Sequence, residues 1–183
     1  MINRSNIIYS ECVKSNIILI GMPGSGKSTV GVLLAKHTSR GFIDTDVLIQ
    51  TSQHRSLQEI VDAEGYMRLR KIEEEVLLGL DCRDHVIATG GSAVYSHKAM
   101  EQLKQSGLTV FLDVEIAMLE SRIDDFETRG LAKRPDQTFA DLFRERYPLY
   151  VKYADIAVAC AGMNHEDLCK EIIEASRRYR VHD

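Results

Sequence analysis

Residues 21–29 read Gly-Met-Pro-Gly-Ser-Gly-Lys-Ser-Thr and follow directly on the apolar run Asn16-Ile17-Ile18-Leu19-Ile20. A short buried strand running into a glycine loop that opens a helix is the arrangement a phosphate cradle requires, and this loop has the full G-x-x-x-x-G-K-[ST] spacing. Gly21, Gly24 and Gly26 let the backbone turn tightly and aim its N–H groups at an anion. The positive end of the helix that starts near Lys27 adds to that field. Lys27 is then expected to reach the β- and γ-phosphates of a nucleoside triphosphate, and the Ser28 hydroxyl to hold Mg²⁺. Ser25 and Thr29 complete the set expected around the nucleotide. A glycine-rich turn that merely precedes a helix explains the glycines, but not the strand, lysine and hydroxyl that accompany them.

Composition narrows the partners. With 183 residues, the chain is long enough to bury about 70% of its unfolded surface in one core, and one domain is the simplest reading. A net charge of −4 and a pI near 5.9 give no basic field for nucleic acid or an anionic membrane. No apolar stretch approaches the roughly 20 residues of a membrane span. Residues 1–6 lack the apolar core of a signal peptide, and residues 1–14 read as a loose extension ahead of a single domain over 15–183. Cys12, Cys82, Cys160 and Cys169 form no C-x-x-C pair and no metal-ligand spacing. Scattered thiols of this kind suit the reducing cytoplasm.

Apolar runs at 16–20, 42–44, 85–89, 108–112 and 156–160 read as strands. Helical periodicity falls between them, at 27–38, 57–63, 66–80, 97–105, 115–123, 138–152 and 165–178. Near-continuous apolar strands alternating with helices predict an α/β fold of three layers, a parallel sheet covered on both faces. Ligands of such a sheet gather at the carboxyl ends of its strands. Residues 124–137 form the longest polar, turn-rich interval and carry Arg129 and Arg134, which suits a lid over a nucleotide better than a bland surface loop.

Two further clusters fall at that same sheet edge. Asp44-Thr45-Asp46 closes the second strand. If the segment stays extended, both carboxylates point to one side and face the phosphate loop. Asp44 would then hold Mg²⁺ and Asp46 would accept a hydrogen bond from a substrate hydroxyl. Alternatively Asp46 is a helix N-cap ahead of Val47-Leu48-Ile49-Gln50. Thr89-Gly90-Gly91-Ser92-Ala93 closes the third strand, where paired glycines permit a tight turn or a close backbone approach.

Taken together, these residues resemble the shikimate kinases, P-loop kinases of small molecules, from about Asn16 to the final helix. The resemblance rests on the phosphate loop, on Asp44-Thr45-Asp46, and on Leu69-Arg70-Lys71-Ile72-Glu73, which is similar to the family's Phe-Arg-x-x-Glu helix. It extends to Gly90-Gly91 and to Arg146 in Glu145-Arg146-Tyr147-Pro148-Leu149-Tyr150. It implies a five-stranded parallel sheet of order 2-3-1-4-5, a lid near 122–137, and ATP with Mg²⁺ as cofactors. The activity it implies is phosphorylation of a shikimate hydroxyl, giving shikimate 3-phosphate and ADP. Arg70 and Arg146 would grip the acceptor carboxylate, with Gly90 and Gly91 beside it. Arg129 would reach the transferring phosphate and Arg122 would lie against the adenine. Two planar guanidinium groups hold a carboxylate bidentately and so fix an anionic ring in one orientation. As plain sequence, Arg70 lies in a charged helical run and reads equally as a solvated face. The expected partner is a small anionic polyol, with neither nucleic acid nor membrane, and the expected state is a monomer.

The chain departs from the family pattern at three places: Ser92 stands at the third of three glycines, Tyr66 at an acidic position, and Gly130 where Arg-Pro-Leu is usual. If position 92 needs positive φ, serine is costly there; if it does not, its hydroxyl is free to contact substrate. A kinase for another carboxylate- or phosphate-bearing acceptor, such as a sugar acid or a nucleoside monophosphate, is the alternative. A non-catalytic nucleotide-binding module is a weaker one, and no Asn-Lys-x-Asp guanine signature occurs.

Overall fold

Strand β1 (Asn16–Ile20) is buried along its whole length and lies at the centre of a five-stranded sheet. The computed structural model describes residues 14–122 and 130–182. Strands β2 (Gly41–Asp44), β3 (His85–Ala88), β4 (Gly107–Asp113) and β5 (Ile156–Ala159) complete the sheet in the order β2-β3-β1-β4-β5. Every pairing is parallel, with Ile18 opposite Ile87 on one side and Thr109 on the other. Parallel strands need helical crossovers, and α1 (Lys27–Thr38), α5 (His97–Ser106), α7 (Phe139–Tyr153) and α8 (His165–His182) supply much of the cover. The main core, built around Ile18, Leu19, Val30, Leu34, Val110 and Phe111, lies between these layers.

Between β2 and β3 the chain inserts α2 (Thr45–Gln53), α3 (Leu57–Glu64) and α4 (Tyr66–Leu78). They pack on a second, smaller core of Ile49, Ile60, Leu69 and Ile72, which also takes in Ala132. That cluster ties the segment after residue 130 to the far wall of the sheet edge. Two capping boxes set the starts of α3 and α7: Ser56 with Glu59, and Thr138 with Asp141.

Helix α2 corrects the expected extended Asp44-Thr45-Asp46 segment. Asp44 ends β2 and is the N-cap of α2, accepting from the N–H groups of Asp46 and Val47. Asp46 is therefore not the cap; it lies in the first turn. Nothing in the periodicity marks α2, because Val47 and Leu48 are exposed while only Thr45 and Ile49 are buried. The short α6 (Ile116–Arg122) ends at the last residue described before 130. The expected loose extension over 1–14 lies outside the described residues except for Lys14.

Among the described residues, no helix is long and apolar enough to cross a membrane. Cys160 and Cys169 are buried free thiols, and burial pushes both up to about 11. They contribute packing, not chemistry.

Candidate active site

The carboxyl ends of the strands open into a cavity of about 430 Å³ lined by Gly24, Gly26, Lys27, Ser28 and Thr29 on one side. Asp46, Glu73, Gly90, Gly91, Ser92 and Arg146 line the other. Three segments far apart in sequence thus meet here, as the strand-end argument expects.

On the nucleotide side, Gly24 and Gly26 hold φ of 82° and 90°, a region that a side chain would strain. Helix α1 begins at Gly26 with no side-chain cap and no acidic residue in its first turn. Its first N–H groups therefore remain available to an anion. Lys27 Nζ donates to the carbonyls of Gly21 and Met22 at 2.9 and 2.8 Å, and lies 3.4 Å from Ser25 Oγ. Burial lowers its pKa to about 8, against the opposing pull of Asp46 and Asp44. Gly21 and Ser25 act from behind the loop and do not line the cavity, whereas Ser28 and Thr29 are exposed to it. Arg122 also lines the cavity, with Nη1 3.5 Å from the Gly24 carbonyl. An uncapped helix start, a lysine and a free hydroxyl fit a nucleotide triphosphate with its Mg²⁺. Asp44, expected at the metal, spends one carboxylate oxygen on the cap of α2 and does not line the cavity. Arg129 lies outside the described residues.

On the opposite side, Asp46 projects from the first turn of α2, and burial raises its pKa while Lys27 opposes the shift. Gly90 and Gly91 do not need positive φ; they need close approach. A Cβ on Gly90 would meet Asp46 Oδ1 at 2.6 Å and Glu73 Oε1 closer still. A Cβ on Gly91 would meet Arg146 Nη1 and Pro23 Cδ, each at 2.9 Å. Two further bonds hold this turn: the Gly90 N–H donates to Thr45 Oγ1 at 2.9 Å, and Tyr150 donates to the Gly91 carbonyl at 2.6 Å. Ser92 has φ −99°, so the serine carries no strain, and its hydroxyl donates to Glu73 Oε2. Glu73 is buried, and desolvation with Asp46 beside it pushes its pKa up to about 7.

The two arginines meet at the Ala132 carbonyl, by different routes, and only Arg146 lines the cavity. Arg146 is 1% exposed inside α7 and lines the cavity. Arg70, on α4, stands behind it, its guanidinium 3.6 Å from the centre of the Tyr95 ring and 5.1 Å from that of Tyr66. Arg146 Nε donates to Tyr95 Oη at 3.3 Å, and Tyr95 in turn donates to Glu145. Tyr66, at a position that is acidic in the family pattern, offers Arg70 a ring face. Gly130 has φ 61°, which proline cannot adopt, and its N–H donates to Gln58 Oε1 at 2.7 Å.

Sequence reasoning gave no role to Glu73 or Tyr95. The i, i+3 spacing of Arg70 and Glu73 is the signal that puts both on one face of α4; Tyr95 carries none.

The chain is similar to known proteins in sequence and in fold. The family model described as shikimate kinase matches residues 23–177. A shikimate kinase of Rippkaea orientalis is 39% identical over 164 residues, which is 87% of this chain and 87% of that protein. The structure of shikimate kinase from Acinetobacter baumannii in complex with shikimate gives a TM-score of 0.82 at 31% identity, covering 89% of this chain and 93% of that one. The crystal structure of the Aquifex aeolicus shikimate kinase gives 0.74 at 38% identity over 86% and 94%. With a matching model across most of its length and relatives alike in sequence and fold, the chain belongs to the shikimate kinase family.

Proposed function

We propose that this protein transfers the γ-phosphoryl group of ATP to a ring hydroxyl of shikimate, giving shikimate 3-phosphate and ADP. One observation carries the reading: a phosphate loop and a carboxylate, Asp46, share one cavity with the buried Arg146, with Arg70 converging on the same backbone carbonyl as Arg146. A molecule able to satisfy all of these has a carboxylate at one end and a hydroxyl at the other. The relative solved with shikimate supports that choice.

In this reading the N–H groups of Gly24, Ser25 and Gly26, with Lys27 and Thr29, hold the phosphates, Gly21 shapes the turn, and Arg122 lies along the base. Ser28, with Asp44 acting through water, would hold Mg²⁺, which would neutralise charge on the β- and γ-phosphates. Arg70 and Arg146 hold the acceptor carboxylate, and Gly90 and Gly91 let the ring approach the backbone. Asp46 accepts the hydrogen bond of the attacking hydroxyl and orients its oxygen toward the γ-phosphorus. Lys27, together with Arg129, offsets charge on the transferring group. Phosphoryl transfer needs little covalent chemistry from the protein, so positioning and electrostatics do most of the catalysis. Buried thiols and the lack of a membrane-crossing helix among the described residues suit work in the cytoplasm.

The test is ADP release with purified protein, ATP, Mg²⁺ and millimolar shikimate, with the product identified by phosphorus NMR. Stoichiometric ADP and a phosphorylated ring hydroxyl are expected. ADP no higher than in the acceptor-free control, or faster release with gluconate or a nucleoside monophosphate, would overturn the substrate.

A further inference from the structure

The segment after β3 sets one aromatic ring against both arginines. Tyr95 ends a single helical turn, Ala93–Tyr95, whose first two residues are buried. The tightly packed Gly90 and Gly91 precede that turn, and Ser96, the N-cap of α5, follows it. The ring is therefore carried on backbone held at both ends.

Arg70 depends on that ring for its orientation. Among the described residues its guanidinium makes one hydrogen bond, from Nη2 to the Ala132 carbonyl, and its Nε is buried without a partner. A single bond leaves the guanidinium plane free to turn about the contact. The Tyr95 ring removes that freedom, with its centre 3.6 Å from Arg70 Cζ. Arg146 is set by the other end of the same side chain. Its Nε donates to Tyr95 Oη at 3.3 Å and its Nη2 to Ala132 at 2.9 Å, so two of its three guanidinium nitrogens are fixed. Tyr95 donates onward to Glu145 Oε1. A carboxylate only accepts, so this bond commits the phenol hydrogen to Glu145 and leaves the oxygen lone pairs to Arg146. Glu145 is itself held, because its Oε2 accepts from Gln137 at 2.6 Å and from Arg134 at 3.3 Å.

We propose that Tyr95, oriented by Glu145, is a positioning residue of the acceptor site: its ring face sets Arg70 and its oxygen sets Arg146, so that two guanidiniums meet one carboxylate as a pair. The proposal rests on the carboxylate-bearing acceptor put forward above. Two long cationic side chains brought to one point repel each other, and each loses rotamer freedom there. One rigid side chain that offers π density to the first and a lone pair to the second meets both costs before the acceptor arrives.

The experiment measures kcat/KM for shikimate and for its carboxamide, with the KM for ATP, in wild type, Tyr95→Phe and Tyr95→Leu, each checked for a cooperative melt. The wild type is expected to prefer the carboxylate by about a hundredfold or more. Tyr95→Phe keeps the ring and loses the oxygen, so that preference should fall by about tenfold, the effect of losing one hydrogen bond to a charged group. Tyr95→Leu loses both, and its preference should fall several-fold further. The KM for ATP should stay the same in both variants. If Tyr95→Leu does not fold, Tyr95→Phe decides alone. A purely structural role would depress both acceptors alike and leave the preference intact; that result overturns the inference while the functional reading stands. A wild type that phosphorylates shikimate and its carboxamide equally well overturns it too. A wild type with no activity toward shikimate overturns both.

Discussion

Arg70 and Arg146 donate to the same atom: each places Nη2 on the carbonyl oxygen of Ala132, at 3.1 and 2.9 Å. One guanidinium comes from α4 and the other from α7, and Tyr95 sets both, through its ring face for Arg70 and its hydroxyl for Arg146. Two cations of like sign tolerate such proximity because the ring, Glu145 and the carbonyl all present negative charge or dipole to them. The point where they meet is the point where the acceptor carboxylate is proposed to bind.

Arg70→Ala is therefore expected to lower kcat/KM for shikimate by about a hundredfold or more, the loss of a charge-assisted pair in a desolvated pocket. The KM for ATP should stay the same. Arg146→Ala should do likewise and also lower stability by a few kcal/mol, because Arg146 is buried and bonded on both sides. Arg146→Lys should not restore activity, since an ammonium lacks the planar fork. Equal losses toward ATP and shikimate in Arg70→Ala would show that the residue supports the fold instead.

Asp46→Asn keeps the shape of the side chain and removes its charge. The kcat should fall by about a hundredfold or more, because the attacking hydroxyl loses the group that orients it and accepts its proton. ATP binding, followed by fluorescence or calorimetry, should persist. Activity within tenfold of wild type would remove Asp46 from the mechanism.

The buried charges predict how stability follows pH. Glu73 is shifted from 4.5 to about 7, so across that window the folded protein holds a proton that the unfolded chain has lost, and stability falls as pH rises. Lys27 is shifted from 10.5 to about 8, so over 8 to 10.5 the unfolded chain holds the extra proton and stability rises with pH. These two groups alone place a minimum near neutrality. Glu73→Gln should be the more stable protein at pH 7 to 8, with a flatter limb below it. Lys27→Met should lose the limb above and, with it, phosphoryl transfer. Each difference from wild type is on the order of 3 kcal/mol across its window, read from urea midpoints. Variant curves parallel to wild type would refute the burial argument.

Gly91→Ala tests the close approach of two sites. The added Cβ would press on Pro23 of the phosphate loop and on Arg146 together. The KM for ATP and for shikimate should therefore rise in step, by about tenfold, as overpacking displaces both. A rise in only one would show that the wall gives way on the other side.

The sequence by itself determined most of the elements and the segments that line the cavity. The strand, glycine loop and helix at residues 16–38 were legible because each step is local: apolar residues for a buried strand, glycines for positive φ, and an uncapped helix start for an anion. Periodicity found the remaining strands to within a residue or two, and the ends of those strands named Asp46, Gly90 and Gly91. Helix α2 escaped because its exposed Val47 and Leu48 blur any apolar stripe, and that omission exchanged the roles of Asp44 and Asp46 at the cap. The tertiary structure decided what depends on distance through space. It brought Arg70 and Arg146, 76 residues apart by number, onto a backbone carbonyl that no side-chain pattern reveals. It gave Tyr95 its place between them. It also turned the Ser92 hydroxyl onto Glu73, 19 positions back along the chain. Burial sets those charges and orientations, and burial is a property of the packed molecule, not of any one segment.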